Sequence, residues 1–286
     1  MKTLNQIYKT LKGYKIIGYS SKTNLFGLNP LVISVFYIVL TEAIISHLRR
    51  FIKNSFADGL VRQLVLEFIA TAELCATCFE LIIVADNYGV VMYGLFLFLL
   101  TVWWSFNWED SSACPYIPIE EIFERKRNIF IGFLVIGAQI LGGLSIFRYI
   151  QILWSLELVE THQGRAFEEC STDLQVSVIL GSIIEGIATC ICRIFSRILG
   201  ETNSRMGNIL DAFIGTLMVV AAFNYSGGYF NPALATSLKY GCKGNTIPEH
   251  MLVYWLGPTI GAIFSVFIFN SKPIQNIVKI LTGKRD

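Results

Sequence analysis

The chain has 286 residues, of which 53% are hydrophobic and 15% are charged, and its mean hydropathy is +0.55. These residues supply too little polar surface to cover a soluble globule of this size, so we expect the chain to lie in a lipid bilayer. The formal net charge of +2 points to no class of partner. The sequence contains no glycine-rich phosphate loop, metal-binding cluster or basic aromatic nucleic-acid surface, so we expect no cofactor, no metal and no nucleic-acid partner.

Six stretches are apolar enough to cross a bilayer, which requires about 20 residues. They cover roughly 63–85, 88–106, 129–156, 174–199, 206–224 and 251–270. A seventh stretch, 31–47, is short and contains Glu42. Basic clusters flank it on both sides, so a crossing would put one of them on the wrong face of the membrane. We expect an interfacial or re-entrant helix there, with a seventh crossing as the alternative.

The charged loops predict the orientation, because basic residues near membrane ends stay on the cytoplasmic side. Basic clusters precede the first good span, follow the second, separate the fourth from the fifth and occupy both ends of the chain, whereas 157–173 is acidic. Six crossings with both termini cytoplasmic satisfy all of these loops. The chain then divides into a basic N-terminal tail with the extra segment (1–62), a membrane domain (63–270) and a basic cytoplasmic tail (271–286).

The membrane domain contains an internal repeat. Glu67 and Glu185 lie 118 positions apart, and each is followed by Ala-Thr at the third and fourth positions. The tripeptides Cys114-Pro115-Tyr116 and Asn231-Pro232-Ala233 lie 117 positions apart. Each copy, 63–156 and 174–270, contains three crossings, and this odd number turns the second copy upside down relative to the first. The sequence therefore predicts an inverted repeat.

Between the second and third crossings of each copy lies a stretch that is too short to cross, at 115–125 and 232–240. Two half-helices that enter from opposite faces would meet near the midplane with their N-termini facing each other. Asn231 is a good N-cap and Pro232 fits the first helical position. The first half-helix has weaker signals, because Cys114 caps poorly and Pro118 removes a donor, so we expect it to sit shallower or to fray.

Glu67 and Glu185 are ionisable groups inside crossings, where they are costly and need a partner. The free backbone N–H groups of the re-entrant turns are the partners that the repeated spacing favours. A protonated Glu bonded to a neighbouring helix is the alternative. Glu73 and Glu80 have no counterparts in the second copy, and the sequence assigns them no role.

The chain has seven cysteines, an odd number, so at least one is unpaired within the chain. Cys170 and Cys242 both fall on predicted non-cytoplasmic loops, where a disulfide can persist. The sequence leaves open whether these two are joined.

Three motifs together resemble those of an aquaporin: Glu67-x-x-Ala-Thr, the run from Ser226 to Ala233, and Tyr254-Trp255-Leu256-Gly257-Pro258. The resemblance covers roughly residues 60–270. The altered first motif, the extra N-terminal segment and Leu234 make the chain most similar to the divergent superaquaporins, of the type of aquaporins eleven and twelve. The Cys-Pro-Tyr variant is similar to that of insect members.

The resemblance implies an all-α membrane protein with six transmembrane helices and two re-entrant half-helices in an inverted repeat, plus the extra N-terminal segment. It also implies a passive channel for water and small neutral solutes, a homotetramer, and an intracellular membrane such as the endoplasmic reticulum. The pore motif would comprise Cys114, Pro115, Tyr116, Asn231, Pro232 and Ala233. Partial positive charge at the two helix N-termini would repel cations from the pore.

The selectivity filter that the resemblance implies falls on Leu234, Gly228 and Val219, with an aromatic of the second crossing near Phe96 or Phe98. Such a filter carries no charge and is wide and apolar. It would admit glycerol or hydrogen peroxide alongside water.

Two other functions are weighed against a channel. A non-conducting structural or adhesive membrane protein on the same scaffold is the main alternative, because bulky side chains lie near the pore motif. An enzyme with Cys114 as its nucleophile is disfavoured, because the three histidines lie at predicted membrane edges or in loops and none is placed to act as a base.

Overall fold

A computed structural model describes residues 27–202 and 204–283. The parts of the predicted terminal tails formed by 1–26 and 284–286 lie outside the described residues. Within the described ranges the chain is helical and has no β-strand, and one isolated backbone bridge joins Ser171 to Lys243.

The first half contains helices α1 (Pro30–Ser55), α2 (Leu60–Tyr88), α3 (Val90–Asn107), α4 (Tyr116–Phe123), α5 (Ile129–Ser145) and α6 (Phe147–Ser155). Two short 3₁₀ turns follow, at Glu160–His162 and Arg165–Phe167. The second half contains α7 (Val178–Gly200), α8 (Arg205–Ser226), α9 (Pro232–Lys239), α10 (Ile247–His250), a π-helical segment (Met251–Leu256), α11 (Gly257–Phe269) and α12 (Lys272–Thr282).

Seven helical segments of the described chain are long and apolar enough to cross a membrane. Six of them coincide with the predicted crossings: α2, α3, α5 with α6, α7, α8, and the segment from α10 to α11. The seventh is α1. Side-chain caps fix where several of these helices start, because Asn29, Asn128, Ser177 and Ser204 each accept a hydrogen bond from a backbone N–H of the first turn.

The two copies pack in the same way through glycine. A Cβ atom on Gly142 of α5 would lie 2.2 Å from the backbone oxygen of Phe68 in α2. A Cβ atom on Gly261 of α11 would lie 2.0 Å from the backbone oxygen of Gly186 in α7. Only glycine permits such close approach of two helix backbones, which is the usual way that membrane helices gain packing contacts.

Helix α1 is longer than the stretch 31–47 that the sequence indicated. It continues to Ser55 because its basic residues find partners: Arg49 pairs with Glu73 of α2, and Lys53 pairs with Glu109 just after α3. At the other end, the Tyr37 hydroxyl donates to the backbone oxygen of Leu153. These contacts place α1 alongside the membrane helices over its length. Its opposite side exposes apolar residues from end to end, at Val32, Phe36, Val39, Ile44, Leu48 and Phe51.

Candidate pore

The two half-helices meet at their N-terminal ends. The Asn231 side-chain nitrogen Nδ2 donates to the backbone oxygen of Ala113, which precedes the first motif, at 2.8 Å. Its Oδ1 accepts from the backbone N–H groups of Ala233 and Leu234 at 3.0 and 3.3 Å. An amide group has two N–H donors. The second donor of the half-buried Asn231 therefore remains for a molecule at the junction.

From this junction α4 and α9 run toward opposite ends of α7. Glu120 of α4 pairs with Arg197, near the C-terminal end of α7. Lys239 at the end of α9 pairs with Asp173, which lies before α7 begins. The segments around Cys114 and Asn231 therefore lie side by side, as the sequence predicted, and the two helices run apart from this point.

A buried carboxylate from each copy holds the turn that precedes its half-helix. Glu67, 2% exposed, accepts from the backbone N–H groups of Ser112 and Ala113, both at 3.0 Å, and from Gln139 at 2.9 Å. Every one of these partners donates, which suits an ionised carboxylate.

Glu185 makes the equivalent contacts in the second copy. It accepts from the Ser226 hydroxyl at 2.6 Å and from the backbone N–H groups of Tyr229 and Phe230 at 3.2 and 2.7 Å. Tyr254 supports the same turn, because its hydroxyl donates to the Ser226 backbone oxygen at 2.8 Å.

The residue before each motif adopts a left-handed backbone conformation. Ala113 has φ of 50° and Phe230 has φ of 47°. This conformation costs a non-glycine residue about 1–2 kcal/mol. In both turns the strained residue donates its N–H to the buried carboxylate, so these bonds help to offset the strain.

The first half-helix is neither shallow nor frayed, contrary to the sequence prediction. It has eight residues, as α9 does. The Arg193 guanidinium of α7 donates to both oxygens of Glu120, at 2.9 and 2.7 Å. Arg197 binds Glu120 at 2.8 Å and Glu124 at 3.0 Å. The acidic residues that made this segment look weak are the ones that anchor it.

Glu124 lies beyond the end of α4, in the link to α5. Partial burial raises the pKa of its carboxyl, but hydrogen bonding and attraction to Arg197 outweigh this, so the pKa lies below its ordinary value. The carboxyl therefore stays ionised, and Arg197 keeps this partner, at neutral and mildly acidic pH.

Three of the predicted filter residues, Leu234, Gly228 and Val219, lie together on the outer side of the junction, which is the side of the 157–173 loop. A Cβ atom on Gly228 would lie 2.6 Å from the backbone oxygen of Val219. Val219 and Leu234 belong to the same apolar cluster. Leu234 also lines a cavity of about 310 Å³. The wall of this cavity also includes the side chains of Cys78, Ile82, Asp86, Tyr93, Asp173, Phe223, Asn224 and Tyr229.

The aromatic of the second crossing that lines this cavity is Tyr93, and among the described residues neither Phe96 nor Phe98 does so. Phe96 packs against the apolar cluster, and the Phe98 ring packs edge-on against Phe213 at 6.1 Å. Tyr93 lies about one helical turn before Phe96, and the altered first motif gave no reliable point from which to count back.

A polar cluster lies at the outer end of this cavity. The Tyr229 hydroxyl donates to Asp173, and Lys239 donates to the other oxygen of Asp173 at 2.9 Å. A disulfide joins Cys170 to Cys242 next to it, with their Cα atoms 5.0 Å apart. Backbone hydrogen bonds also connect the two segments that the disulfide joins. The Lys243 N–H donates to the backbone oxygen of Cys170, and the Thr172 N–H donates to the backbone oxygen of Lys243.

Two buried acids that the sequence left without a role have partners that lie far from them in the chain. Glu80 accepts from the Trp154 ring nitrogen at 2.8 Å and lies 2.9 Å from the Nε2 atom of His162. Glu73 pairs with Arg49 of α1 and accepts from the Trp108 ring nitrogen at 2.6 Å. These partners are 24–82 positions away in the chain, so no local pattern could have indicated them.

Within 27–202 and 204–283, no group of three or more His, Cys, Asp or Glu side chains is arranged to hold a metal ion. The main features of the site are instead two opposed half-helices, braced by acids and set in a duplicated bundle of apolar helices. This arrangement is that of a membrane channel.

Comparison with known proteins gives the family. The model of the family "Major intrinsic protein" matches residues 115–269. Aquaporin-11 of Milnesium tardigradum is 32% identical over 260 residues, which cover 90% of this chain and 93% of that protein. Aquaporin-12 of Mus musculus is 29% identical, with 82% of this chain and 84% of that protein covered. The chain therefore belongs to the major intrinsic protein, or aquaporin, family, and to its superaquaporin branch.

A solved structure supports the fold. The X-ray structure of the aquaglyceroporin from Plasmodium falciparum matches with a TM-score of 0.58 and 17% identity, over 78% of this chain and all of that chain. The predicted all-α, aquaporin-like membrane fold is confirmed. The chain is a multi-pass membrane protein and a channel for water or small solutes, and it is not an enzyme.

Proposed function

We propose that the chain conducts water together with small neutral solutes such as glycerol or hydrogen peroxide. The pore would run through the junction of α4 and α9, past Asn231 and the uncharged side chains of Val219 and Leu234. The observation that carries this proposal is the hydrogen bond from Asn231 to Ala113, which brings the two helix N-termini together. The two dipoles oppose each other and both direct their positive ends at the junction, which repels cations and leaves neutral molecules free to pass.

The outer cavity supports passage of solutes larger than water. One part of its wall is apolar, at Ile82, Phe223 and Leu234, and another carries the polar groups of Asn224 and Tyr229. A polyol or a peroxide presents both kinds of surface. At 310 Å³, the cavity lies at the lower end of the range of small-molecule pockets, about 300–1,000 Å³.

Stopped-flow measurements on proteoliposomes test the proposal. The purified chain should raise the permeability to water and to at least one of glycerol and hydrogen peroxide. Asn231→Asp is the matched control, because its carboxylate cannot donate a hydrogen bond and places a charge at the junction, so this variant should lose the flux. Water flow with both solutes excluded would contradict the proposed solute class.

A non-conducting scaffold is the competing function, and one observation favours it. Tyr116 stands where the second motif has Ala233, and the Arg193 guanidinium lies 5.9 Å from the centre of its ring. A bulky, anchored side chain at this point would narrow the inner half of the proposed pore. The same liposome measurement separates the two functions, since a closed scaffold gives no flux of any solute.

We also propose a homotetramer, an intracellular membrane such as the endoplasmic reticulum, and a cytoplasmic C-terminus. For the N-terminus the contacts of α1 favour a revised arrangement. Its exposed apolar positions run from Val32 to Phe51, about 29 Å at 1.5 Å per residue, which is the thickness of the hydrocarbon core. We therefore propose that α1 is a seventh crossing and that the two termini lie on opposite sides.

A further inference from the structure

The interface between α1, α2 and α3 contains buried polar side chains that the pore does not use. We call this set the α1 seam, and its members are Glu42, Ser46, Arg49, Glu73, Trp104 and Trp108. Arg49 and the Trp108 ring nitrogen both donate to one oxygen of Glu73, Oε2. The Trp104 ring nitrogen donates to one oxygen of Glu42, Oε1, at 2.9 Å.

The charges of the seam do not balance. Glu42, Glu73 and Arg49 are 8%, 0% and 4% exposed, so this buried region of the described chain holds two carboxyls and only one guanidinium, which pairs with Glu73. The other charged groups facing this region are occupied: Lys53 of α1 pairs with Glu109 beyond α3. In α2, Glu67 holds the turn before the first motif and Glu80 binds Trp154 and His162. Keeping a buried carboxylate ionised without a partner costs far more free energy than protonating it.

Unpartnered atoms point to where that proton lies. Glu42 Oε2 and Glu73 Oε1 are both buried and have no hydrogen-bond partner among the described residues. Stacked rings bring the two carboxyl groups to the same place, because Trp104, which donates to Glu42, stacks on Trp108, which donates to Glu73, with ring centroids 5.1 Å apart. Two carboxylate oxygens repel, whereas a single proton between them satisfies both.

We propose that Glu42 and Glu73 form a buried proton-binding site in which the two carboxyl groups share one proton. The proton leaves one negative charge in the seam to balance Arg49. The site fastens α1 to the end of α3, because Glu73 also holds Trp108. The segment from Trp108 leads within a few residues to Ala113 and Cys114, so this proton also supports the turn before the first motif.

Infrared spectroscopy of the full chain in lipid nanodiscs tests the proposal directly. A protonated carboxyl has a carbonyl stretch that is separate from those of amides and carboxylates. Wild-type protein at neutral pH should show this band, and Glu42→Gln should lose part of it, because the Gln amide replaces the protonated acid. Asp58→Asn, which changes an exposed carboxylate paired with Arg62, is the control and should leave the band unchanged.

Thermal unfolding across a pH series gives a second readout. The native seam holds a proton that the unfolded chain releases near the ordinary pKa of Glu, so the wild type should lose stability as the pH rises. Glu42→Gln cannot lose this proton, so its Tm should rise relative to that of the wild type as the pH increases. An unchanged carbonyl band in Glu42→Gln, or a Tm difference that is constant with pH, would overturn the proposal. Neither readout depends on flux through the pore.

Discussion

Leu234 is the residue at which the proposed solute range is decided. It follows the second motif by one position, packs in the same cluster as Val219, and faces a cavity shared with Tyr93 and Tyr229. A larger and charged side chain here would project into that cavity. In the proposed pore, the side chain at position 234 therefore sets the width and the polarity of the passage.

We expect Leu234→Arg to lower glycerol permeability on the order of tenfold, similar to the effect of small size differences in a close-fitting pocket. Water permeability should fall much less, because water is smaller than the space that the guanidinium leaves. Proteoliposome shrinkage with each solute measures both rates. Leu234→Met, which nearly conserves volume, is the control and should behave as the wild type. Equal losses of water and glycerol would show that the substitution closes the pore rather than filters it.

At the scale of single residues, the sequence was informative where the chemistry was local or repeated. Glu67, Glu185 and Asn231 stood out because each is costly or distinctive at its position and the first two recur at a fixed spacing. Tyr93 was not found, because choosing between residues one turn apart on α3 requires the register of the helix against α8. The roles of Glu73 and Glu80 depend on distant partners, which no spacing shows.

At the scale of elements, α4 depends on ion pairs that connect it to α7. Glu120 is 1% exposed and binds both Arg193 and Arg197. Removing one member of a buried charged network leaves the others without compensation, at a cost of about 3–5 kcal/mol. The acidic body of α4 therefore stabilises this half-helix only in the presence of the two arginines.

We predict that Glu120→Gln lowers the Tm of the protein clearly, whereas Glu121→Gln on the same helix does not. Glu121 pairs with Arg127 and is one-third exposed, and such pairs contribute about 1 kcal/mol or less. Thermal unfolding in detergent compares the two variants. The pKa of Glu124 lies below its ordinary value, so its bond to Arg197 persists and the difference should be the same at about pH 7 and about pH 5. Equal effects of the two substitutions would contradict this account of the anchor.

The contrast between α4 and α9 shows what element-level prediction lacked. Asn231 and Pro232 supply a cap and a first-turn residue from within the segment, so α9 was recognisable by itself. The start of α4 has no side-chain cap, and its support comes from α7, 73 positions along the chain. Local signals identify a helix that stabilises itself and miss one that is held by its neighbours.

At the scale of the whole molecule, the described chain combines a duplicated six-crossing unit with one additional helix. The six crossings followed from hydropathy, and the inverted arrangement followed from the repeat. The path of α1 did not follow, because basic clusters on both sides of it argued against a crossing. The partners of its charged residues, on α2 and beyond α3, lie too far along the chain for the sequence to indicate them.

The proposed seventh crossing leads to a prediction about orientation. Epitope tags at the two termini should differ in their accessibility, with the C-terminal tag digested by protease added to intact microsomes and the N-terminal tag protected. Both tags should be digested once detergent opens the vesicles. If the two tags are digested together in intact vesicles, α1 does not cross, and the interfacial or re-entrant placement is retained.

The disulfide between Cys170 and Cys242 has a consequence for how the molecule matures. It closes a long loop, with the two cysteines 72 positions apart, and such closure stabilises a fold by about 4 kcal/mol on chain-entropy grounds. Disulfides form in oxidising compartments and not in the cytosol. The disulfide that links the 157–173 loop to the segment after α9 would thus form only after this loop has been translocated into an oxidising compartment. Maturation of the outer cavity would then require an oxidation step, whereas assembly of the helical bundle would not.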